Sequence, residues 1–315
     1  MEIVFMGTPK FALPSLRRLV KDGHEIQLLV TRQDKPKGRG QKVAPPPTKE
    51  LAISQGIPVE QPTDLRSPDF YNRLKSLRPE VIVVVAYGKI LPQELLDLPP
   101  YGGVNLHASL LPRYRGACPI NWALINGEQE TGVTTIKMSA EMDAGDILLA
   151  RQVAIAPGET AEELEQRLSL VGAELLSDTL ARLQDGRLSP RPQDHSQATF
   201  APRLKKEDGR IDWGKAAMQI FNATRGLAPW PGAYSIFRGK TVIFRRGELF
   251  DVPAGRELPV RELGEIVALD KRGIVVQCGD GAYLLIAELQ PESRRRMRAV
   301  DFVNGYRVKP GERFA

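Results

Sequence analysis

Residues 81–86, Val-Ile-Val-Val-Val-Ala, are an apolar run with no polar alternation, and no other stretch constrains the fold as strongly. A strand with one face in water alternates apolar and polar side chains. An unbroken β-branched run must be buried on both faces. It is far too short to cross a bilayer. Similar short apolar runs occur at Glu2–Met6 and Glu25–Thr31, with a shorter one near Pro58. Between them lie helical patterns: Phe11, Leu16, Leu19 and Val20 share one face, and Thr48–Gln55 and Pro68–Leu77 read as further helices. Buried strands separated by helices predict a parallel sheet covered on both sides, a doubly wound, Rossmann-like α/β domain with a mostly parallel sheet.

The pattern then continues with strands at Val104–His107, Gly132–Met138 and Ile147–Ile155, and a helix around Pro119–Asn126. Thr160 opens a longer helix with Glu162 and Glu163 in its first turn, where a helix dipole favours acids. Leu164, Leu168, Val171, Leu175, Leu176 and Leu180 are its expected buried stripe. From Ser189 the chain turns Pro-rich and polar, which predicts a catalytic domain over residues 1–188, a linker over 189–208 and a second domain over 209–315. That second domain carries a short helix near Lys215–Arg225 and strands at Tyr234–Phe237, Thr241–Arg245, Gly264–Leu269, Ile274–Cys278 and Tyr283–Ile286. Several short strands with Gly-rich turns suggest a small Greek-key barrel of the OB type.

Some chemistries are disfavoured. Cys118 and Cys278 form no CxxC pattern and read as small buried residues in a reducing cytoplasm. The N-terminal MEIVFMGTPK lacks the features of a secretory leader. Gly7-Thr8-Pro9 joins a strand to a helix but is neither GxGxxG nor a Walker loop. The histidines His24, His107 and His195 make no metal-binding spacing, so no metal is expected, and no GxSxG elbow is present.

What remains is residues 105–149. Asn105 and His107 end an apolar strand, and the two-residue period puts both on one face. In a doubly wound sheet, ligands bind at such strand ends. Asn offers an amide that cannot titrate, and His offers a donor or acceptor near neutrality. Asp143 follows the next strand in the turn Asp143-Ala144-Gly145-Asp146, where a carboxylate can orient a histidine and move a proton. From these residues alone, a hydrogen-bonded structural histidine and a turn-forming aspartate stand beside a catalytic set.

The segment HASLLPRYRG, preceded by Asn105 and followed by the Asp143 turn, closely resembles the signature of the superfamily that uses 10-formyltetrahydrofolate as a formyl donor. The resemblance implies that Asn105, His107 and Asp143 are the catalytic set and that Ser109, Leu110, Leu111 and Pro112 line the folate site. Within that superfamily, the N-terminal IVFMGTPKFALPSL, the length and the C-terminal LQPESRRRMRAVDFVNGYRVKPGERF most resemble the branch that formylates initiator methionyl-tRNA. Charge placement agrees with such a partner, although a solvated basic surface explains it equally well by itself. The net charge is +6, and residues 31–49 carry Arg32, Lys35, Lys37, Arg39, Lys42 and Lys49 against Asp34. A second cluster, at the far C-terminus, holds Arg294, Arg295, Arg296, Arg298, Arg307, Lys309 and Arg313. The resemblance implies that the 32–46 loop reads the acceptor stem, with Arg39 as its key arginine, and that the barrel holds the tRNA body. A cytoplasmic, monomeric enzyme with no membrane association is the expectation. Two alternatives stay open: a formyltransferase for an amino-sugar nucleotide, and a nucleic-acid-binding protein on an inactive scaffold.

Overall fold

The computed structural model describes residues 1–37, 42–254, 258–259 and 261–315, with Lys37 and Lys42 described by backbone alone. Contacts divide the chain into two units. The first comprises Met1–Pro119, Glu130–Ala154 and Glu165–Pro202, and the second Ile120–Gln129, Ile155–Leu164 and Arg203–Ala315.

In the first unit, β1 (Glu2–Gly7), α1 (Leu13–Lys21) and β2 (Glu25–Val30) open the fold. Next comes a small antiparallel hairpin, β3 (Lys35–Lys37) with β4 (Lys42–Ala44), within the segment that reads as plain loop in the sequence. These strands are too short and too charged to leave a hydrophobic period, so only backbone pairing defines them. The chain continues through α2 (Pro47–Ser54), β5 (Val59–Glu60), α3 (Pro68–Leu77), β6 (Val81–Val85), α4 (Gln93–Leu96) and β7 (Gly103–His107). Pro68 sits in the first turn of α3, where its missing N–H costs nothing, and Ser67 Oγ accepts the Phe70 N–H at 3.3 Å. After β8 (Arg115–Gly116) comes α5 (Pro119–Ile125), which from Ile120 belongs to the second unit; β9 (Glu130–Lys137) and β10 (Ile147–Ala154) complete the sheet strands, and α6 (Ala161–Gln184), whose first turn also belongs to the second unit, and β11 (Phe200–Ala201) follow.

Among the described residues the main sheet has seven strands in the order β10-β9-β7-β6-β1-β2-β5. The pairs from β7 to β5 are parallel, while β9 and β10 add an antiparallel edge. Every residue of β6 is buried, which its unbroken apolar run requires. Because β2 and β6 flank β1 on opposite sides, the order reverses beside β1, and the carboxyl ends of the strands there are where such sheets bind ligands. The start of α6 is capped reciprocally: the Thr160 N–H donates to Glu163 Oε2 at 2.8 Å, and the Glu163 N–H to Thr160 Oγ1 at 3.4 Å. The Thr160 N–H and the Thr160 hydroxyl, both donating to it, hold the Glu163 carboxyl below its usual range. Leu164, Leu168, Leu175, Leu176 and Leu180 are buried as the periodicity predicts, and Val171 is half-buried.

The second unit contains α7 (Ala217–Gly226) and an antiparallel sheet of β12 (Ala233–Phe237), β13 (Lys240–Phe250), β14 (Ile266–Asp270), β15 (Gly273–Gln277), β16 (Tyr283–Pro291) and β17 (Met297–Arg298), then α8 (Ala299–Tyr306). The path β12-β13-β16-β15-β14 leaves β12 and β14 at its edges, with β17 paired to β16. Residues 311–315 bond to both edges: Ile236 and Ala315 exchange backbone hydrogen bonds at 3.0 and 2.9 Å, and the Ile266 N–H donates to the Glu312 carbonyl at 2.7 Å. The sheet is thereby closed into a small barrel without exposed strand edges at that seam. Phe314, fully buried, packs against Phe237, Phe244 and Trp213 with ring centroids 5.2–6.1 Å apart. Each such aromatic pair contributes about 0.5–1.5 kcal/mol beyond its buried area. Cys278 is buried in this barrel, and burial pushes its thiol up to about 12, which leaves it an inert packing group. Cys118 is half-buried, not fully buried as expected from the sequence.

Candidate active site

Asn105 and His107 lie on β7, hydrogen-bonded between parallel β6 and antiparallel β9. Their two-residue spacing sends both side chains to one spot, as the pleat requires. The loop between β9 and β10 brings Asp143 to the same place. Asn105 Nδ2 donates to Asp143 Oδ1 at 3.4 Å, and His107 Nδ1 stands 3.6 Å from that oxygen. The Gly116 N–H donates to Asp143 Oδ2 at 2.9 Å.

The ring of His107 is oriented from its other side. Its Nε2 lies 2.9 Å from the Tyr114 carbonyl oxygen. A carbonyl only accepts, so Nε2 carries a proton and exchange is confined to Nδ1, the atom facing Asp143. Across 3.6 Å, Nδ1 and the Asp143 carboxylate are beyond hydrogen-bond length but close enough for a protonated ring to be attracted to it. His107 is only 6% exposed, which keeps competing water from the ring.

Asp143 is held in the left-handed region, with φ +53°. Only a few per cent of non-glycine residues adopt this region, with Asp and Asn enriched there. What fixes it is the rest of the loop. The Lys137 N–H donates to the Asp146 carbonyl at 2.9 Å, and the close approach leaves no room for a side chain at position 145: a Cβ there would overlap the Lys137 carbonyl oxygen. Glycine is required for that contact.

The 109–112 segment is a tight loop beside this cluster. Ser109 is fully buried and its hydroxyl donates to the Arg113 carbonyl at 2.6 Å. Thr134 Oγ1 donates to the Ser109 carbonyl at 2.7 Å and accepts the Leu111 N–H at 3.2 Å. The Ser109 hydroxyl is thus committed to loop shape. Leu110 and Pro112 are the half-exposed members, and Leu111 is buried.

Two contributing residues carry no signal in the sequence, and a third, Arg115, stands in the HASLLPRYRG segment without a role that its pattern reveals. Gln193 and Thr199 fall in the stretch read as linker, but Pro202 and the residues before it belong to the first unit. The Gln193 amide donates to the carbonyls of Asp143 and Gly145 at 2.8 and 2.7 Å, clamping the loop from behind. Its Oε1 accepts from Arg115 Nε and Nη2 at 3.2 and 2.8 Å, and Arg115 is 2% exposed. Thr199 Oγ1 accepts the Tyr114 N–H at 2.8 Å, so it supports the carbonyl that orients His107. We expect Gln193→Ala to lower turnover by about 10²-fold through a loop shift on the order of 1 Å, with donor affinity little changed. Steady-state kinetics that left turnover unaltered would show the clamp to be dispensable.

The basic residues divide differently. Arg39 lies outside the described residues, as do the side chains of Lys37 and Lys42. Lys49, by contrast, is engaged with Asp34 at 2.9 Å and Gln61 at 2.7 Å. Arg294, Arg295 and Arg296 are exposed on the turn between β16 and β17; Arg296 is paired with Glu288. Among the described residues no helix is long and apolar enough to cross a membrane.

The two parts of the chain correspond to the two domains of formyl-transferring enzymes. Residues 1–180 match the family described as formyl transferase, and residues 203–307 match its C-terminal domain. The chain belongs to the methionyl-tRNA formyltransferase family: the protein of that name from Geobacter metallireducens is 51% identical over 313 residues, covering 99% of this chain and 98% of that one. The namesake from Acetivibrio thermocellus is 47% identical, covering 99% of both chains. Among solved structures, the sugar 3N-formyl transferase WlaRD superposes with a TM-score of 0.67 at 16% identity, covering 94% of this chain and 99% of that one. HypX from Aquifex aeolicus, solved in complex with tetrahydrofolic acid, gives 0.66 at 19%, and this chain spans 48% of it. At such identities the solved structures share the fold alone.

Proposed function

We propose that this formyltransferase moves the formyl group of 10-formyltetrahydrofolate to the α-amino group of initiator methionyl-tRNA, acting as a cytoplasmic monomer. The observation that supports it most is the convergence of Asn105, His107 and Asp143 at a strand end in a chain of this family. In the reaction the amine nitrogen bonds to the formyl carbon and the carbonyl pair moves onto oxygen. The carbonyl then re-forms as the bond to the folate nitrogen breaks. One proton leaves the attacking amine, and the departing nitrogen gains one.

Asn105 Nδ2 and a protonated His107 Nδ1 are the donors suited to the developing oxyanion; losing one such donor typically costs about 10²–10³ in rate. Asp143 accepts the amine proton. Its bond from the Gly116 N–H and its left-handed backbone hold the carboxylate in place for this without waiting for substrate. The 109–112 loop lies against the folate, presenting Leu110 and Pro112, with Ser109 and Leu111 fixing its shape. Lys37, Arg39 and Lys42 contact the acceptor end of the tRNA, and Arg294, Arg295 and Arg296 its body, through phosphate contacts that give affinity without base reading.

One assay tests the reading: purified protein with 10-formyltetrahydrofolate and, in parallel, methionyl initiator tRNA, methionyl elongator tRNA and small amines including an amino-sugar nucleotide. Formylation of the initiator species is the expected result. Formylation of the amino sugar alone would replace the acceptor, and no formylation of any amine would remove the catalytic reading.

A further inference from the structure

The loop Pro229-Trp230-Pro231-Gly232, ahead of the barrel, has no part in the site above. Trp230 is 56% exposed and makes no ring contact among the described residues. An isolated exposed tryptophan is ordinary by itself, but this one stands in a defined charged setting. Arg245 on β13 donates from Nη1 to the Pro229 carbonyl at 3.2 Å, and from Nε and Nη2 to Gln290 Oε1 at 3.2 and 2.7 Å. Gln290 Nε2 in turn donates to the Arg294 carbonyl at 2.9 Å. One chain of hydrogen bonds thus ties the tryptophan loop to the turn that bears Arg294, Arg295 and Arg296.

The patch is rich in positive charge. Arg245, Arg294 and Arg295 have no carboxylate partner among the described residues, whereas Arg296 pairs with Glu288. Burial, with Arg296 close by, lowers the proton affinity of Arg245, as expected where like charges crowd. The one acid on the turn itself is Glu292. Its conformation is set without a ligand: the Arg294 N–H donates to the Pro291 carbonyl at 3.0 Å, and Ser293 takes φ +60°. A protein partner would have to supply a matching acidic surface for these arginines, while a nucleic acid brings phosphates and flat base faces together.

We propose that Trp230, Arg294 and Arg295 form a docking surface for an unpaired stretch of RNA, in which the indole stacks on a nucleobase and the two arginines contact phosphate oxygens. This rests on the reading of the acceptor as a tRNA and adds to it a contact that needs an unstacked base. Arg245 and Gln290 are positioning residues that hold the two loops at a fixed separation. In a continuous duplex both base faces are already stacked, so the tryptophan has nothing to cover there.

The test is filter binding of the full chain to methionyl initiator tRNA and to a blunt RNA duplex, over a range of salt. Trp230→Ala is expected to weaken tRNA binding about tenfold or more, with the slope of log K against log salt unchanged and duplex binding unaltered. Trp230→Phe should restore most of the affinity, which also shows that the loop is intact. The pair Arg294→Ala with Arg295→Ala should instead flatten the salt slope, by about 0.7 for each lost single-strand phosphate contact. Unaltered tRNA binding by Trp230→Ala, or an equal loss on the duplex, would overturn the stacking surface while leaving the tRNA reading in place. Failure of the unmodified chain to bind tRNA would overturn both.

Discussion

Asp143→Asn should lower turnover by roughly 10²–10⁴ while changing donor affinity only a few-fold. The substitution is nearly isosteric. Asparagine is among the few residues at home with φ near +53°, so the loop has no reason to move. Its side-chain oxygen can still accept the Gly116 N–H, and its amide can donate to the lone pair on His107 Nδ1, because Nε2 keeps its proton on the Tyr114 carbonyl; that amide replaces the oxygen to which Asn105 Nδ2 donates, so the Asn105 bond is lost as well. What disappears is the carboxylate that accepts the proton of the attacking amine and balances an imidazolium. Turnover at saturating donor and acceptor, measured beside equilibrium folate binding, checks this. A large loss of folate affinity with normal turnover would contradict the assignment of Asp143 to proton transfer.

Gly145→Ala should be nearly as damaging for a different reason. The new methyl group would overlap the Lys137 carbonyl oxygen, which belongs to β9 and cannot swing aside like a side chain. The loop must retreat, and with it go the 2.9 Å bond from the Lys137 N–H to the Asp146 carbonyl and the two carbonyls clamped by Gln193. Asp143 is left chemically intact but displaced. A shift on the order of 1 Å costs about 10² in rate, so we expect at least that loss, together with a lowered Tm. Turnover within threefold of the unmodified chain would mean that the loop absorbs the methyl group without moving Asp143.

Parts of this architecture are legible in the amino-acid sequence itself. The unbroken run at 81–86 specifies a doubly buried strand, and the two-residue spacing of Asn105 and His107 specifies a shared face. Spacing alone could not bring Asp143 to them, because that depends on the register of β9 against β7; the superfamily signature supplied the link. Gln193 was invisible for a physical reason. A Pro-rich polar stretch has no hydrophobic period to mark it as packed, and its role is carried by side-chain-to-backbone bonds across 50 residues. The closure of the barrel by residues 311–315 was hidden likewise, since one buried phenylalanine among charged neighbours leaves no alternation to read. The short strand pair at 35–37 and 42–44 shows the same limit at its smallest scale.

The clamp by Gln193 also gives the site a history during synthesis. Asn105, His107 and Asp143 leave the ribosome well before the residue that secures them, which follows Asp143 by 50 positions. At about 5–20 residues per second, the Asp143 loop waits roughly 3–10 s for its anchor. Through that interval the left-handed turn at Asp143 lacks the two bonds that clamp it. The nascent sheet can therefore pair while its active centre is still unset, and chemical competence arrives only as the segment through Pro202 folds back.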